Sequence, residues 1–534
     1  MKKNSFMEGA VIATLGIIFV KIIGLIYVIP FNAIIGEQGG ALYGYAYNIY
    51  MLFLSVSSAG FPFAISKLTS EYSALGYKKA IKDTYSIATK IILAISAFIF
   101  LLLFIFARPI GHLIIGDSIG GNSPDDIAFV IRMVSFAILI IPFLSVSKGF
   151  LQGHKYIKPT TDSQIIEQVV RVLIIIIGSY IALKVFHTDL KIAVGIAVSG
   201  AFFGGLVAYL FLRRKITKSK LLVDKNENNE HIKSKEIVKK ILTYSIPFIV
   251  VSLIYNLYNT VDMILVSRTM SDILHMPITR VESVLSVFTT WGVKLNNILL
   301  AVTTGLTTSL IPNIVSSYTK GNMNDVNLKF NKALQCTLFV IVPATLFLSL
   351  LVKPIWIVFY GNSNYGPIVY KMFVYTALFG GLHSVVVNTL QGLSKYKLVI
   401  LCVLSGLLIN TILDVPFMLL SNKLGFDVSY GAIVAAMLGY TVSMTIALVI
   451  LNKKYGFNFK DTIKKMPSFI LSIMLFVLVI ILLQKILPIP VNMNSRIMLI
   501  PILALYGVIS FGIYIFINYL NGNLVSLFKN MRRK

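Results

Sequence analysis

Apolar runs long enough to cross a bilayer recur along this chain from one end to the other, and no other feature narrows its fold as much. A transmembrane helix needs only about 20 such residues. Candidate spans fall at 8–33, 42–68, 86–108, 127–151, 161–185, 190–213, 241–267, 282–318, 328–352, 366–392, 397–421, 428–452, 466–487 and 495–520. The runs are continuous, whereas a membrane β-barrel would alternate apolar and polar residues over segments of about ten. The expected fold class is therefore an all-α polytopic membrane protein with about 14 transmembrane helices. Composition agrees: 57% of residues are hydrophobic and 13% charged, against about a quarter charged in soluble domains. The first run exceeds the apolar core of a signal peptide and lacks a small-residue cleavage site, so it is expected to stay as a span.

A net charge of +27 would suggest nucleic acid as the partner of a soluble protein. Here the charges follow topology. If Lys2 and Lys3 lie inside, so do Lys78-Lys79, Lys155, Lys158, the 214–240 segment, Lys320, Lys395, Lys453-Lys454, Lys464-Lys465 and Arg532-Arg533-Lys534. Roughly 31 Lys and Arg then fall inside and about 9 outside, a strong positive-inside asymmetry. Both termini are expected to be cytoplasmic, and no nucleic-acid partner is implied. Cys336 and Cys402 both lie within apolar segments and read as small core residues without a disulfide framework.

The chain also repeats itself. Gly60-Phe61-Pro62-Phe63 resembles Leu310-Ile311-Pro312-Asn313, Ala107-Arg108-Pro109-Ile110 resembles Val352-Lys353-Pro354-Ile355, and Gly116 answers Gly361. Gly149-Phe150-Leu151-Gln152-Gly153 answers Asn388-Thr389-Leu390-Gln391-Gly392. Three matches in order, each at the same place on corresponding helices, indicate two six-helix lobes. An even number of helices per copy gives both the same orientation, the parallel repeat found in some alternating-access transporters. The expected division is a first lobe at 1–213, a cytoplasmic linker at 214–240 containing Asp224–Glu230, a second lobe at 241–452, and two further helices with a basic tail at 453–534.

No metalloprotease, nucleophile-elbow or phosphate-loop motif is present, so neither hydrolysis nor ATP-driven transport has a visible apparatus. The expectation is a secondary transporter and not an enzyme. His383 reads as a packed polar residue, and Asp125-Asp126 as the cap of the fourth span. The informative residues are the charges within spans. Lys90 and Lys148 near the inner ends, and Arg132 and Lys371 near the outer ends, have the reach to snorkel to headgroups. Glu167 and Arg171 stand four apart, the spacing of a helical ion pair.

Lys21 and Lys294 lie midway along the first and eighth spans with no carboxylate within a helical turn. A cation at that depth costs ~2.5–3.5 kcal/mol or more on insertion scales, so each should face a wet cavity or a partner. One from each lobe would make an anion site suited to a phosphate-bearing substrate, with Lys67, Arg268 and Arg280 extending the positive path. A distant carboxylate partner for Lys21 is the structural alternative. Asp262, with Asn410 and Asp414 one helical turn apart, supplies hard-oxygen ligands suited to a small cation. Polar packing between helices would explain them equally well.

The run through Lys21, Gly24, Tyr27 and Pro30, then Gly36, Leu42-Tyr43, Ala46-Tyr47, Tyr50 and Gly60–Glu71, is similar to one family. It is the polysaccharide-biosynthesis and stage V sporulation protein B-like branch of the multidrug/oligosaccharidyl-lipid/polysaccharide (MATE-like) exporter superfamily. That branch includes the MurJ-type lipid II flippases of Gram-positive bacteria. The resemblance covers nearly the whole chain. It implies a fourteen-helix flippase with a V-shaped central cavity, carrying an undecaprenyl-pyrophosphate-linked saccharide from the inner to the outer leaflet of the bacterial cytoplasmic membrane. In that light Lys21 and Lys67 are expected to meet the pyrophosphate, with Arg280 and Lys294 standing where relatives use arginines. Asp262, Asn410 and Asp414 resemble a sodium site, which makes Na+ the implied coupling ion with no other cofactor. The last two helices would shelter the prenyl tail, and the protein would act as a monomer among membrane lipids.

The expected cargo is the peptidoglycan precursor lipid II, with another polysaccharide or teichoic unit as an alternative. A cation-coupled multidrug exporter of the same superfamily is a second alternative, though it would want an acidic cavity and normally twelve helices. A membrane glycosyltransferase is a third, with Asp125-Asp126 as its acidic pair.

Overall fold

The computed structural model describes residues 12, 16, 19–116, 121–219, 221, 232–490 and 496–528, and among them every regular element is helical. Glu8, Asp117, the acidic stretch 224–230 and the basic end 532–534 lie outside the described residues. Thirteen stretches among the described residues have the length and hydropathy to span a membrane. The first expected span, only partly described, adds to these. This is a multi-pass helical membrane protein with a parallel internal repeat followed by two further helices.

Contacts divide the chain into two compact units, 1–291 and 292–534. The first contains α1 (Val28–Ser58), α2 (Phe61–Leu75), α3 (Lys78–Ile115), α4 (Pro124–Gly153), α5 (Ile157–Leu173), α6 (Leu190–Lys218), α7 (Ser234–Arg268) and α8 (Ile278–Thr289). One further helical segment, residues 19–26, precedes α1. Gly36 interrupts α1 with φ 66° and ψ −163°, a conformation open to glycine and strained for other residues. The first span therefore ends there and the second begins. α5 and α7 each run on into π-helical turns, at Ile174–Gly178, Ile181–Val185 and Thr269–Ile273.

At one end of this unit Phe61, Ile65 and Leu68 of α2 pack with Ala88 and Ile92 of α3, Phe150 of α4, Leu212 of α6, and Ile237 and Ile241 of α7, all fully buried. The seventh span thus joins the core of the first six. The lobe boundary expected at 214–240 comes from correspondence between repeats and not from packing, and we propose it on that ground.

The second unit holds α9 (Trp291–Thr319, all but its first residue), α10 (Met323–Leu350), α11 (Val352–Tyr360), α12 (Gly366–Phe373), α13 (Tyr375–Gly392), α14 (Tyr396–Lys423), α15 (Ser429–Tyr455), α16 (Lys460–Ile486), α17 (Arg496–Leu520) and α18 (Asn523–Phe528). The eighth span was expected as one helix over 282–318. It is broken at Thr290, whose φ −133° and ψ −73° separate α8 from α9. Thr289 and Thr290 precede Trp291 there, and β-branched and aromatic residues resist helical χ1 rotamers. α16 and α17 bury Phe476, Ile480, Tyr506 and Tyr514 against Leu351 and Ile355 of the α10–α11 region.

The repeat is written in the turns as well as the sequence. After α2, Gly76 takes φ 76°; the Tyr77 N–H reaches the Tyr72 carbonyl at 2.9 Å and the Lys78 N–H the Gly76 carbonyl at 3.0 Å. After α9, Gly321 takes φ 71°, with Asn322 on Ser317 and Met323 on Gly321, both at 3.1 Å. Both are left-handed helix closures of the Schellman type. Lys155 after α4 and Ser394 after α13 share a second turn, with φ 65° and 59°, each donating to a Gln carbonyl, Gln152 or Gln391, at 2.9 Å. Gly116 and Gly361 close α3 and α11, and each lies against an arginine, Arg268 and Arg496 respectively.

Candidate functional site

Lys21 lies on the helical segment that precedes α1, and its side chain is exposed. Glycines from the same stretch pack against α5. Gly16 and Gly24 lie against Thr161 and Gln168, at the start of α5 and one turn before its Arg171. Small residues at such a contact let two helices approach closely. Among the described residues Lys21 makes no hydrogen bond and no ion pair, so the distant carboxylate partner is not found among them.

The neighbouring charges behave differently. Glu167 of α5 accepts from Arg171 on its own helix, Nη2 to Oε1 at 2.5 Å, as the four-residue spacing implies. It also accepts from Lys148 of α4, Nζ to Oε2 at 3.0 Å. All three side chains are less than a fifth exposed. Lys148 thus does not snorkel as expected; Glu167 on the following helix gives it a buried carboxylate instead. Gly200 and Gly204 of α6 press on the α5 backbone at Arg171 and Glu167. A ladder of rings from α1 continues the polar patch, with Tyr43 stacked on Tyr47 at 5.3 Å and Tyr47 beside Tyr50 at 5.5 Å.

Lys67 on α2 is exposed, and its Nζ stands 3.9 Å from the centroid of the Tyr244 ring on α7. One turn further along the same two helices, Glu71 pairs with Lys240 at 3.2 Å. The two helices touch directly above these rungs, where Gly60 leaves no room for a Cβ against the Ser245 backbone and Phe63 meets Phe248 at 4.5 Å.

At the other end of the unit α1 meets α8. Ser283 donates to Glu37, the Asn122 N–H donates to Glu282 Oε1 at 2.6 Å, and Thr290 donates to the Gly40 carbonyl at 2.8 Å. Gly40 and Gly44 face Trp291 and Thr289 with no space for a side chain. The Gly40-x-x-x-Gly44 spacing is the sequence signal that locates this seam. The cap of α4 is Ser123, in a reciprocal box with Asp126, while Asp125 pairs with Arg108 at 2.9 Å. His383 is a packed residue bonded to Ser443 at 2.8 Å.

Arg268 spends its donors near this end. Its Nε and Nη2 reach the Leu113 and His112 carbonyls at 3.0 and 2.7 Å, and Nη1 pairs with Asp272 at 2.8 Å. It therefore caps the end of α3, where free carbonyls attract cations. Arg280, half-buried in the first turn of α8, has polar contacts of its own. In the second unit Lys294 is half-buried on α9 and also engaged.

Asn410 and Asp414 of α14 are both 0% exposed. They are enclosed because α15 crosses closely just beyond them, Gly431 lying against the backbone of Phe417 and Met418. Asp262 belongs to the other unit, half-buried on α7. An amide and a carboxylate one turn apart and fully buried are donors that fit an alkali cation. Among the described residues no cluster of three or more His, Cys, Asp or Glu offers a transition-metal site.

Comparison with known proteins follows the same lines. A family model described as polysaccharide biosynthesis protein matches residues 6–312. The lipid II flippase MurJ of Bacillus subtilis (strain 168) is 31% identical over 471 residues, covering 86% of this chain and 85% of that protein. Stage V sporulation protein B of the same organism is 24% identical over 86% and 88% of the two chains. Among solved structures, a lipid II flippase MurJ in an inward closed conformation superposes with a TM-score of 0.69 at 16% identity, covering 96% of this chain and 99% of that one. An inward-facing MATE multidrug transporter gives 0.62 at 14% identity, over 81% and 96%.

Proposed function

The chain belongs to the polysaccharide biosynthesis protein family, and from that premise we propose that it is a flippase for undecaprenyl-pyrophosphate-linked cell-wall precursor, with lipid II as its cargo. The protein works in the bacterial plasma membrane with both termini in the cytoplasm, acts as a monomer, and moves the headgroup from the inner to the outer leaflet by alternating access. It carries out no covalent chemistry. Its task is to replace the hydration of a pyrophosphate and its sugars, which hydrocarbon cannot do.

The observation that carries this reading is Lys21, an exposed lysine in an apolar helix with no partner among the described residues. An intramembrane cation held without a carboxylate is expensive unless an anion or water meets it. In this account Lys21 and Lys67 contact the pyrophosphate, Arg280 adds positive potential, and Arg268 holds the end of α3. Substrate entry favours whichever conformation presents these lysines to it, and release needs an opposing bias. Asn410 and Asp414 would hold Na+, which would supply a fixed positive charge there. The multidrug alternative would require a cavity attractive to cations, and the exposed lysines oppose it.

The test is depletion of the protein in its own host, followed by analysis of undecaprenyl-linked intermediates. Accumulation of lipid II in the inner leaflet supports the reading. Accumulation of a different polyprenyl-linked saccharide would replace the cargo, and no accumulation of any would remove the function.

A further inference from the structure

Lys67 and Glu71 are four residues apart on α2, the spacing at which a lysine and a glutamate on one helix ordinarily pair. Among the described residues they do not pair. Glu71 is bound by Lys240 of α7 at 3.2 Å, and Lys240 is further held by Glu236 at 3.7 Å and stands 5.2 Å from the Tyr72 ring. Lys67 rests instead on the face of Tyr244, one turn further along the same helix as Lys240. Two rungs of α7 thus match two rungs of α2, and they separate a lysine from its nearest carboxylate.

The chemistry of the two rungs differs in a way that matters for an anion site. A carboxylate neutralises an ammonium and occupies its N–H donors. An aromatic face attracts the cation through its quadrupole, leaves the full charge in place, and covers one side only. Tyr244 therefore fixes the position of Lys67 while leaving donors for a ligand, and Lys240 keeps Glu71 from competing for them. The close Gly60–Ser245 approach sets the register of α2 on α7, so neither helix can slide a turn without losing both rungs.

We propose that Lys240 and Tyr244 are positioning residues for the substrate anion, acting through Lys67: the first sequesters Glu71 and the second presents the ammonium. This deepens the flippase reading and rests on it, because it needs Lys67 to meet a pyrophosphate.

The experiment measures binding of undecaprenyl pyrophosphate to the purified full chain in nanodiscs. Lys240→Met frees Glu71 to take Lys67, and affinity is expected to fall roughly three- to fivefold, the range of a half-exposed ion pair. Adding Glu71→Gln to Lys240→Met is expected to restore it, which loss of a merely structural contact would not. Tyr244→Phe keeps the ring face and should bind as the parent does, whereas Tyr244→Leu should bind more weakly. Lys67→Ala separates the two levels. If Lys67→Ala binds as tightly as the parent, the pyrophosphate role of Lys67 falls and this inference falls with it. If Lys67→Ala loses affinity but Glu71→Gln does not rescue Lys240→Met, the role of Lys67 stands and the positioning by Lys240 is overturned.

Discussion

Within one unit, Lys21 and the Lys148–Glu167–Arg171 cluster are two solutions to the same problem of placing positive charge among apolar helices. In the cluster a single buried carboxylate serves two cations from adjacent helices, and the arrangement is closed. Lys21 stands on the neighbouring helical segment, exposed and without a partner among the described residues. Under the proposed function the difference separates cations that hold the fold from one that meets a ligand. Removing the first kind should cost stability, and removing the second should cost function.

The largest effect is expected at the shared carboxylate. Glu167→Ala leaves two buried cations without compensation, and breaking such a pair typically costs ~3–5 kcal/mol. Thermal unfolding in detergent should show a marked drop or a failure to accumulate folded protein. An unchanged melting temperature would mean that the cluster is not structural and would blur the contrast with Lys21.

Arg268→Ala comes next. It removes the charged donors that cap α3 and the pair with Asp272, a loss of about 1–2 kcal/mol for hydrogen bonds from a partly exposed charged group. Affinity for undecaprenyl pyrophosphate should stay within about twofold of the parent, because an exposed ion pair elsewhere is worth little to binding. A large loss of affinity with normal stability would return Arg268 to the substrate path.

The smallest change is Lys148→Met, which retains the methylene bulk and leaves Glu167 neutralised by Arg171. A loss of roughly 1 kcal/mol or less in stability, with transport intact, is expected.

Much of the architecture was legible because its causes are local. Apolar length marks the spans, and the repeated signals at Gly116 and Gly361 and at Gln152 and Gln391 fall at turns whose hydrogen bonds match between repeats. The Glu167–Arg171 pair was legible for the same reason, being set by helix pitch. What escaped depends on which helix lies beside which. Lys148 looked like a headgroup-seeking lysine because its partner sits on the next helix, and the acceptors of Arg268 lie 155 and 156 residues away, beyond any local signal. Lys67 was marked as a site residue, but Tyr244 and Lys240, which govern its surroundings, were not. Thr290 shows the remaining limit. A hydropathy pattern does not register a backbone break inside an apolar run, so one span read as continuous was two helices.

The central claim is that Lys21 serves the substrate and not the fold, and one pair of variants tests it directly. Lys21→Ala and Lys21→Arg should be expressed in a host strain depleted of its own lipid II flippase, with melting temperature and inner-leaflet lipid II measured for each. The account requires Lys21→Ala to melt at or above the parent temperature yet fail to support growth and accumulate lipid II, and Lys21→Arg to retain function. Growth of the Lys21→Ala strain with normal lipid II distribution would contradict it.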